Sequence, residues 1–156
     1  MTVVSNTSPL NYLVLIGTVE ILPALFEEVV APPAVVGELS RAEAPPEVRD
    51  WISSPPSWLR MQAPARASLA IDLGAGEREA IALAQEIRAD RILLDEMKAR
   101  RIAISLGLQV AGTLAVLYEA HVEHLIDLPT VLADLRRTSF YLDDGLIQSI
   151  LKRIGE

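Results

Sequence analysis

Short aliphatic runs, each followed by a longer stretch with helical spacing, constrain this chain more than any other feature. Residues 2–5, 28–31 and 91–94 are brief, mostly β-branched or aliphatic, and followed by Asn, Pro or Asp, which marks them as buried strands rather than helices. The helical stretches between them start and stop on recognisable signals. Thr7-Ser8-Pro9 offers a hydroxyl cap followed by a proline, and Leu10, Leu13, Val14 and Ile16 carry an apolar face to a stop at Gly17. Further helices are expected over 19–26, 33–41, 77–88, 96–106, 113–120, 127–136 and 143–153. Pro45-Pro46 and Pro55-Pro56 bracket a short helix carrying Trp51, residues 58–62 fit an edge strand, and 108–110 fit one more short strand. Strands that alternate with helices in this way make a largely parallel sheet covered on both faces, so the fold class is α/β.

Length and composition narrow the possibilities. The 156 residues fit a single domain, 1–156, with a real core. Hydrophobic residues make up 51% but aromatics only 4%, so that core is aliphatic, and Trp51 and Trp58 read as packing or interface residues. No apolar stretch reaches the roughly 18–20 residues of a membrane span, so no membrane partner is expected. The first residues lack a basic region and a cleavage site and read as a strand. Cysteine is absent, which excludes disulfides, thiolate nucleophiles and Cys-type zinc sites and fits a cytoplasmic protein. The net charge of −7 disfavours broad electrostatic binding of nucleic acid. Local positive charge remains at Lys98, Arg100 and Arg101, at Arg136-Arg137 and at Lys152-Arg153, each of which also fits a solvated helix face.

The candidate chemistry lies at the ends of these elements. Asn6 and Asp95 directly follow strands, Glu38 lies on the helix after the second strand, and Glu77 follows Gly74-Ala75-Gly76 at a helix start. In parallel α/β sheets, sites form at the carboxyl ends of strands, and one edge could hold all four. Hard oxygen ligands of this kind suit Mg²⁺ or Mn²⁺. Each residue also has a plain structural reading: Asp95 as a cap for the next helix, Glu77 as a first-turn acid favoured by the helix dipole, Glu38 as a solvated residue, and Asn6 in an Asx turn. His121 and His124 lie three apart at a helix end. Without a third ligand they fit an exposed terminus better than a transition-metal site.

Taken in order, these segments resemble the PIN-domain family, in the branch that opens with Ser-[Asp/Asn]-Thr-Ser-Pro. The resemblance is carried by Val4-Ser5-Asn6-Thr7-Ser8-Pro9-Leu10, Ala31-Pro32-Pro33-Ala34-Val35-Val36-Gly37-Glu38-Leu39, Gly76-Glu77-Arg78-Glu79-Ala80-Ile81, and Leu93-Leu94-Asp95-Glu96 with Arg100-Arg101-Ile102-Ala103. The stretch from Leu106-Gly107-Leu108 to Gly112-Thr113-Leu114 fits the same branch. The resemblance implies a three-layer α/β/α fold with a central, mostly parallel sheet. It also implies a metal-dependent endoribonuclease acting on RNA, often the toxin of a toxin–antitoxin pair with a small antitoxin partner, and often a homodimer. Carried over by position, the ligands for Mg²⁺ or Mn²⁺ are Asn6, Glu38, Glu77 and Asp95, with Glu38, Glu77 and Asp95 as the catalytic acids. Ser8 matches a hydroxyl that supports the first acid, Glu79 competes with Glu77 for the third position, and Glu96 and Thr113 are possible supports. Lys98 and Arg101 are candidates to meet RNA phosphates.

One position departs from the pattern. Nucleolytic PIN domains carry Asp where this chain has Asn6. The amide keeps an oxygen ligand but removes a negative charge, which lowers the expected affinity for a hard cation. This sets the alternative: a catalytically weakened or inactive PIN-like protein that acts by binding RNA or protein. A receiver-like phosphotransfer domain is the third class, and the absence of an acid pair after the first strand counts against it.

Overall fold

The computed structural model describes residues 1–66 and 72–155. The chain runs β1 (Thr2–Ser5), α1 (Thr7–Leu15), α2 (Ile21–Leu25), β2 (Glu28–Ala31), α3 (Pro33–Leu39), α4 (Pro46–Ser53), β3 (Leu59–Met61), α5 (Ala75–Glu86), β4 (Arg91–Leu93), α6 (Met97–Ser105), β5 (Val110–Ala111), α7 (Thr113–Val122), α8 (Leu128–Arg136) and α9 (Asp144–Ile154). All strand pairs are parallel, in the order β3-β2-β1-β4-β5.

The period of two in a strand sends alternate side chains to opposite faces, and here each face meets its own helices. Val3, Val29, Ala31 and Leu93 point into a core shared with Leu10 and Leu13 of α1, Val35 of α3 and Leu117 of α7. Their neighbours Val4, Val30 and Ile92 point the other way, onto Ala80, Ile81 and Ala84 of α5 and Ala99 and Ala103 of α6. Because both faces are buried, the strand interiors Val3-Val4, Val29-Val30-Ala31 and Ile92-Leu93 are aliphatic on both sides instead of alternating with polar residues. The result is a three-layer α/β/α arrangement around an all-parallel sheet.

The strand order places the site. From β1 the chain steps outward to β2 and β3, then returns across β1 to β4 and β5. The direction of winding therefore reverses between β1 and β4, and at such a point the loops diverge and leave a crevice at the carboxyl ends. Ser5 pairs with Leu93 across this junction, and the backbone N–H of Asn6 donates to the Leu93 carbonyl at 3.0 Å. Asn6 and Asp95 thus leave the sheet side by side.

Element ends shift by a residue or two throughout, and three differences from the sequence reading stand out. The helix expected over 19–26 shortens to α2. The helix expected from Glu77 begins at Ala75, with Gly74 as its cap residue. The strand expected over 108–110 is instead β5, because Leu108 is spent on ending α6. Gly107 adopts φ +84°, its N–H bonds to the Ile104 carbonyl, and the Leu108 N–H reaches back to Ala103 at 3.0 Å. That is a left-handed helix stop, which glycine accepts without strain. Trp51 and Trp58 pack against the core beside each other, ring centres 6.0 Å apart. No helix among the described residues is long and apolar enough to cross a membrane.

Candidate functional site

Asn6, Glu38, Glu77 and Asp95 line one pocket of 710 Å³ above the crevice. Asn6 occupies the cap position of α1, Glu38 lies near the end of α3, Glu77 is in the first turn of α5, and Asp95 follows β4.

Asp95 is the most firmly held. Its Oδ1 accepts the Thr113 backbone N–H at 2.7 Å, while Oδ2 accepts the Thr113 hydroxyl at 2.6 Å and the Ser8 hydroxyl at 2.8 Å. Gly112 precedes α7 and has no side chain to cap it, so Asp95 satisfies the first free N–H of that helix from across the sheet. A methyl at Gly112 would lie 2.6 Å from Arg100 Nη1 and 3.0 Å from Asp95 Oδ1. The glycine is what lets both groups close over the start of α7.

Glu38 accepts the Thr7 hydroxyl at 2.5 Å and rests against the backbone of α5. A Cβ on Gly76 would lie 2.9 Å from its Cδ and 3.0 Å from Oε1, with Oε2 closer still. Glu77 turns back so that Oε1 accepts the Gly74 N–H at 3.3 Å. Burial, the largest influence, pushes its carboxyl above the ordinary glutamate value, and the charges of Glu96 and Glu38 push the same way. The Gly74 N–H and Lys98 oppose them. Asn6 is only 6% exposed, its side chain caps nothing, and its Oδ1 is buried without a hydrogen-bond partner. Leaving such an oxygen unpaired costs about 1–3 kcal/mol.

Several expected roles fall differently. Neither hydroxyl of Thr7 or Ser8 caps α1: Thr7 serves Glu38, and Ser8 supports Asp95 rather than the first position, Asn6. Asp95 does not cap α6, because Glu96 does, accepting from Lys98 N at 3.0 Å and Ala99 N at 2.8 Å. Glu79 points away from Glu77 and accepts the Ala34 N–H at 3.0 Å, capping α3 in place of Pro32. Lys98 and Arg101 are exposed and stand outside the pocket lining, with Lys98 4.0 Å from Asp72. Arg100 is the basic residue that folds inward, its Nη1 donating to the Leu94 carbonyl at 3.2 Å. His121 Nδ1 accepts the Leu128 N–H at 3.1 Å at the start of α8, and His124 leaves α7 at φ +62°. His121 is thus engaged at the start of α8, and no third Asp, Glu or His joins the two histidines among the described residues.

The pocket also takes in Asn11, Tyr12, Arg41, Glu43, Phe140 and Tyr141, which the sequence reading left aside. Asn11 and Tyr12 lie three and four residues beyond Ser8 on α1, the spacing that puts side chains on one face, so this signal was available. Phe140 and Tyr141 had only their adjacency in an aromatic-poor chain to single them out.

The lining carries five carboxylates against one guanidinium, and only oxygen donors. That chemistry fits Mg²⁺ or Mn²⁺, and the orphaned Asn6 oxygen fits a ligand position. Among the described residues, however, no three Asp, Glu or His side chains gather around a single point.

The model of the PIN-domain family matches residues 2–156, and the chain belongs to that family. Among solved structures it is similar to a PilT N-terminus domain protein from the hyperthermophilic archaeon Sulfolobus solfataricus P2, with 13% identity and a TM-score of 0.49 over 92% of this chain and 100% of that one. No curated protein matches it.

Proposed function

We propose that this protein is a metal-dependent endoribonuclease of PIN type, using Mg²⁺ or Mn²⁺ at the pocket between Asn6 and Asp95. The observation that carries the reading is the gathering of Asn6, Glu38, Glu77, Asp95 and Glu96 around one pocket, with the Asn6 side-chain oxygen buried and without a hydrogen-bond partner. So acidic a wall repels a phosphodiester unless a cation offsets it.

Asn6 Oδ1, Glu38, Glu77 and Asp95 would hold the ion, directly or through waters. When bound, it supplies positive charge against the scissile phosphate and makes a nearby water more acidic. The chain's own residues do the rest. Asp95, fixed by three hydrogen bonds, keeps its orientation while substrate enters and leaves. Glu38 is steered by Thr7. Glu77, whose carboxyl burial raises above the ordinary glutamate value, would orient the attacking water and accept its proton. The water oxygen bonds to phosphorus, the ester oxygen leaves and takes a proton from solvent, and no covalent enzyme intermediate is needed.

The resemblance in motif order and size supports a biological role as the toxin of a toxin–antitoxin pair. In that role the protein is cytoplasmic, a homodimer, and neutralised by a small antitoxin protein. The segment 44–61 and helices α8 and α9 are the candidate contact surfaces. The amide at Asn6, which removes a negative charge from the ligand set, supports a second reading, a PIN-like protein that binds RNA or protein without cutting it.

Cleavage of a mixed RNA pool separates the two. The nuclease reading expects cleavage with Mn²⁺, none with EDTA, and a loss of about 10²-fold or more in Glu77→Gln. Intact RNA after incubation of folded protein with millimolar Mn²⁺ rejects it.

A further inference from the structure

Three of the chain's seven aromatic residues, Tyr12, Phe140 and Tyr141, line this one pocket. They come from distant parts of the chain. Tyr12 lies on α1, and the other two lie on the connection between α8 and α9. The connection is pinned in place: the Tyr12 hydroxyl and Ser139 Oγ lie 2.8 Å apart, and Phe140 packs edge-on against the Tyr12 ring with centres 5.0 Å apart. The Thr138 hydroxyl accepts the Phe140 N–H at 3.2 Å, and Arg136 pairs with Asp144 across its two ends. Yet Tyr141, the last of the three, is 85% exposed. Tyr12 and Phe140 thus anchor the connection, and its next residue, Tyr141, stands out in water while lining the acidic pocket.

A flat ring so placed gains nothing for the fold. It does suit a planar, uncharged partner that enters beside a cation-held phosphate, and a nucleobase is that partner. Base stacking on an aromatic side chain tolerates any sequence and needs the base unpaired. It also supplies affinity without positive charge, of which this pocket has only Arg41. We propose that Tyr141, backed by Tyr12 and Phe140, stacks an unpaired base of the RNA next to the scissile phosphate. This rests on the ribonuclease reading and makes Tyr141 a specificity-determining residue for single-stranded substrate.

Fluorescence anisotropy of a short labelled single-stranded RNA, at low salt with Ca²⁺ in place of Mn²⁺ so that the acidic wall is offset while cleavage is suppressed, tests this as a binding measurement. Tyr141→Ala should weaken binding about 5- to 10-fold, while Tyr141→Phe stays near wild type. The same strand made with an abasic residue at the stacked position should bind wild type and Tyr141→Ala alike. The thermal unfolding midpoint should not move, since the side chain is exposed. Equal binding of normal RNA by wild type and Tyr141→Ala overturns the proposal. So does an equal loss on the abasic strand, or duplex RNA bound as tightly as single strands. Cleavage with Mn²⁺, run in parallel, keeps the two claims apart. No cleavage by wild type defeats the ribonuclease reading, whereas normal cleavage with a silent Tyr141 defeats the stacking role alone.

Discussion

Gly76→Ala should separate the site from the scaffold. The added methyl would sit 2.9 Å from the Glu38 Cδ and 3.0 Å from Oε1, where comfortable contact needs about 3.5 Å. Oε2 would lie closer still, so the carboxylate must retreat by about 1 Å or more, which its flexible side chain allows. The fold should hardly notice. Alanine in a helix gains about 0.5–1 kcal/mol over glycine, and weakening the Thr7–Glu38 hydrogen bond gives back about as much. Net stability should stay within about 1 kcal/mol of wild type. The pocket should respond far more, because a misplacement near 1 Å can cost about 10²-fold in rate. Chemical denaturation and Mn²⁺-dependent RNA cleavage, measured on the same preparation, give both quantities. Unchanged cleavage in a stably folded Gly76→Ala protein refutes the claim that the position of Glu38 matters. A loss of several kcal/mol refutes the claim that the close approach serves the site rather than the packing.

Three further outcomes follow from the same geometry. Asp95→Ala strands the N–H and hydroxyl of fully buried Thr113 and should cost about 2–4 kcal/mol in urea denaturation; a neutral result means Asp95 does not hold α7. Asn6→Asp puts a carboxylate at a 6% exposed position. It should lower the melting temperature without cation and tighten Mn²⁺ binding by about an order of magnitude in calorimetry, whereas unchanged affinity places Asn6 outside the ligand set. Glu77 is raised first by burial, so its protonated form is the one folding favours. Its contribution is full at pH below the ordinary glutamate range and is lost as pH rises through the raised value. Glu77→Gln without cation should therefore be more stable than wild type at neutral pH, with the gap closing on acidification, and the reverse trend would contradict the assignment.

Most of the fold was legible because its determinants are local. Aliphatic runs stopped by Asn6, Pro32 and Asp95 could only be buried strands, and glycines such as Gly17 and Gly107 marked helix ends. Strand order was not legible, since it depends on which side of β1 the chain returns to after β3. In the pocket, Asn6 and Asp95 could be placed from their position after strands, but the division of labour between Glu77 and Glu79 could not. Two residues apart on a helix, they face nearly opposite ways, and which one meets the pocket depends on the distant N-terminus of α3. The partnership of Ser8 with Asp95 spans 87 positions, and that of Tyr12 with Ser139 spans 127. Such pairs leave no periodic trace in a single sequence. Lys98 and Arg101 were singled out by charge alone, which does not report which face of α6 they occupy.

The central claim is that one cation site lies among Asn6, Glu38, Glu77 and Asp95. Anomalous diffraction from crystals soaked in Mn²⁺ tests it most directly. The account predicts a Mn²⁺ peak in the pocket within about 2.0–2.6 Å of Asn6 Oδ1 or one of these carboxylates, with waters completing its shell. A fully soaked crystal with Mn²⁺ bound only elsewhere, or with none in the pocket, would contradict it.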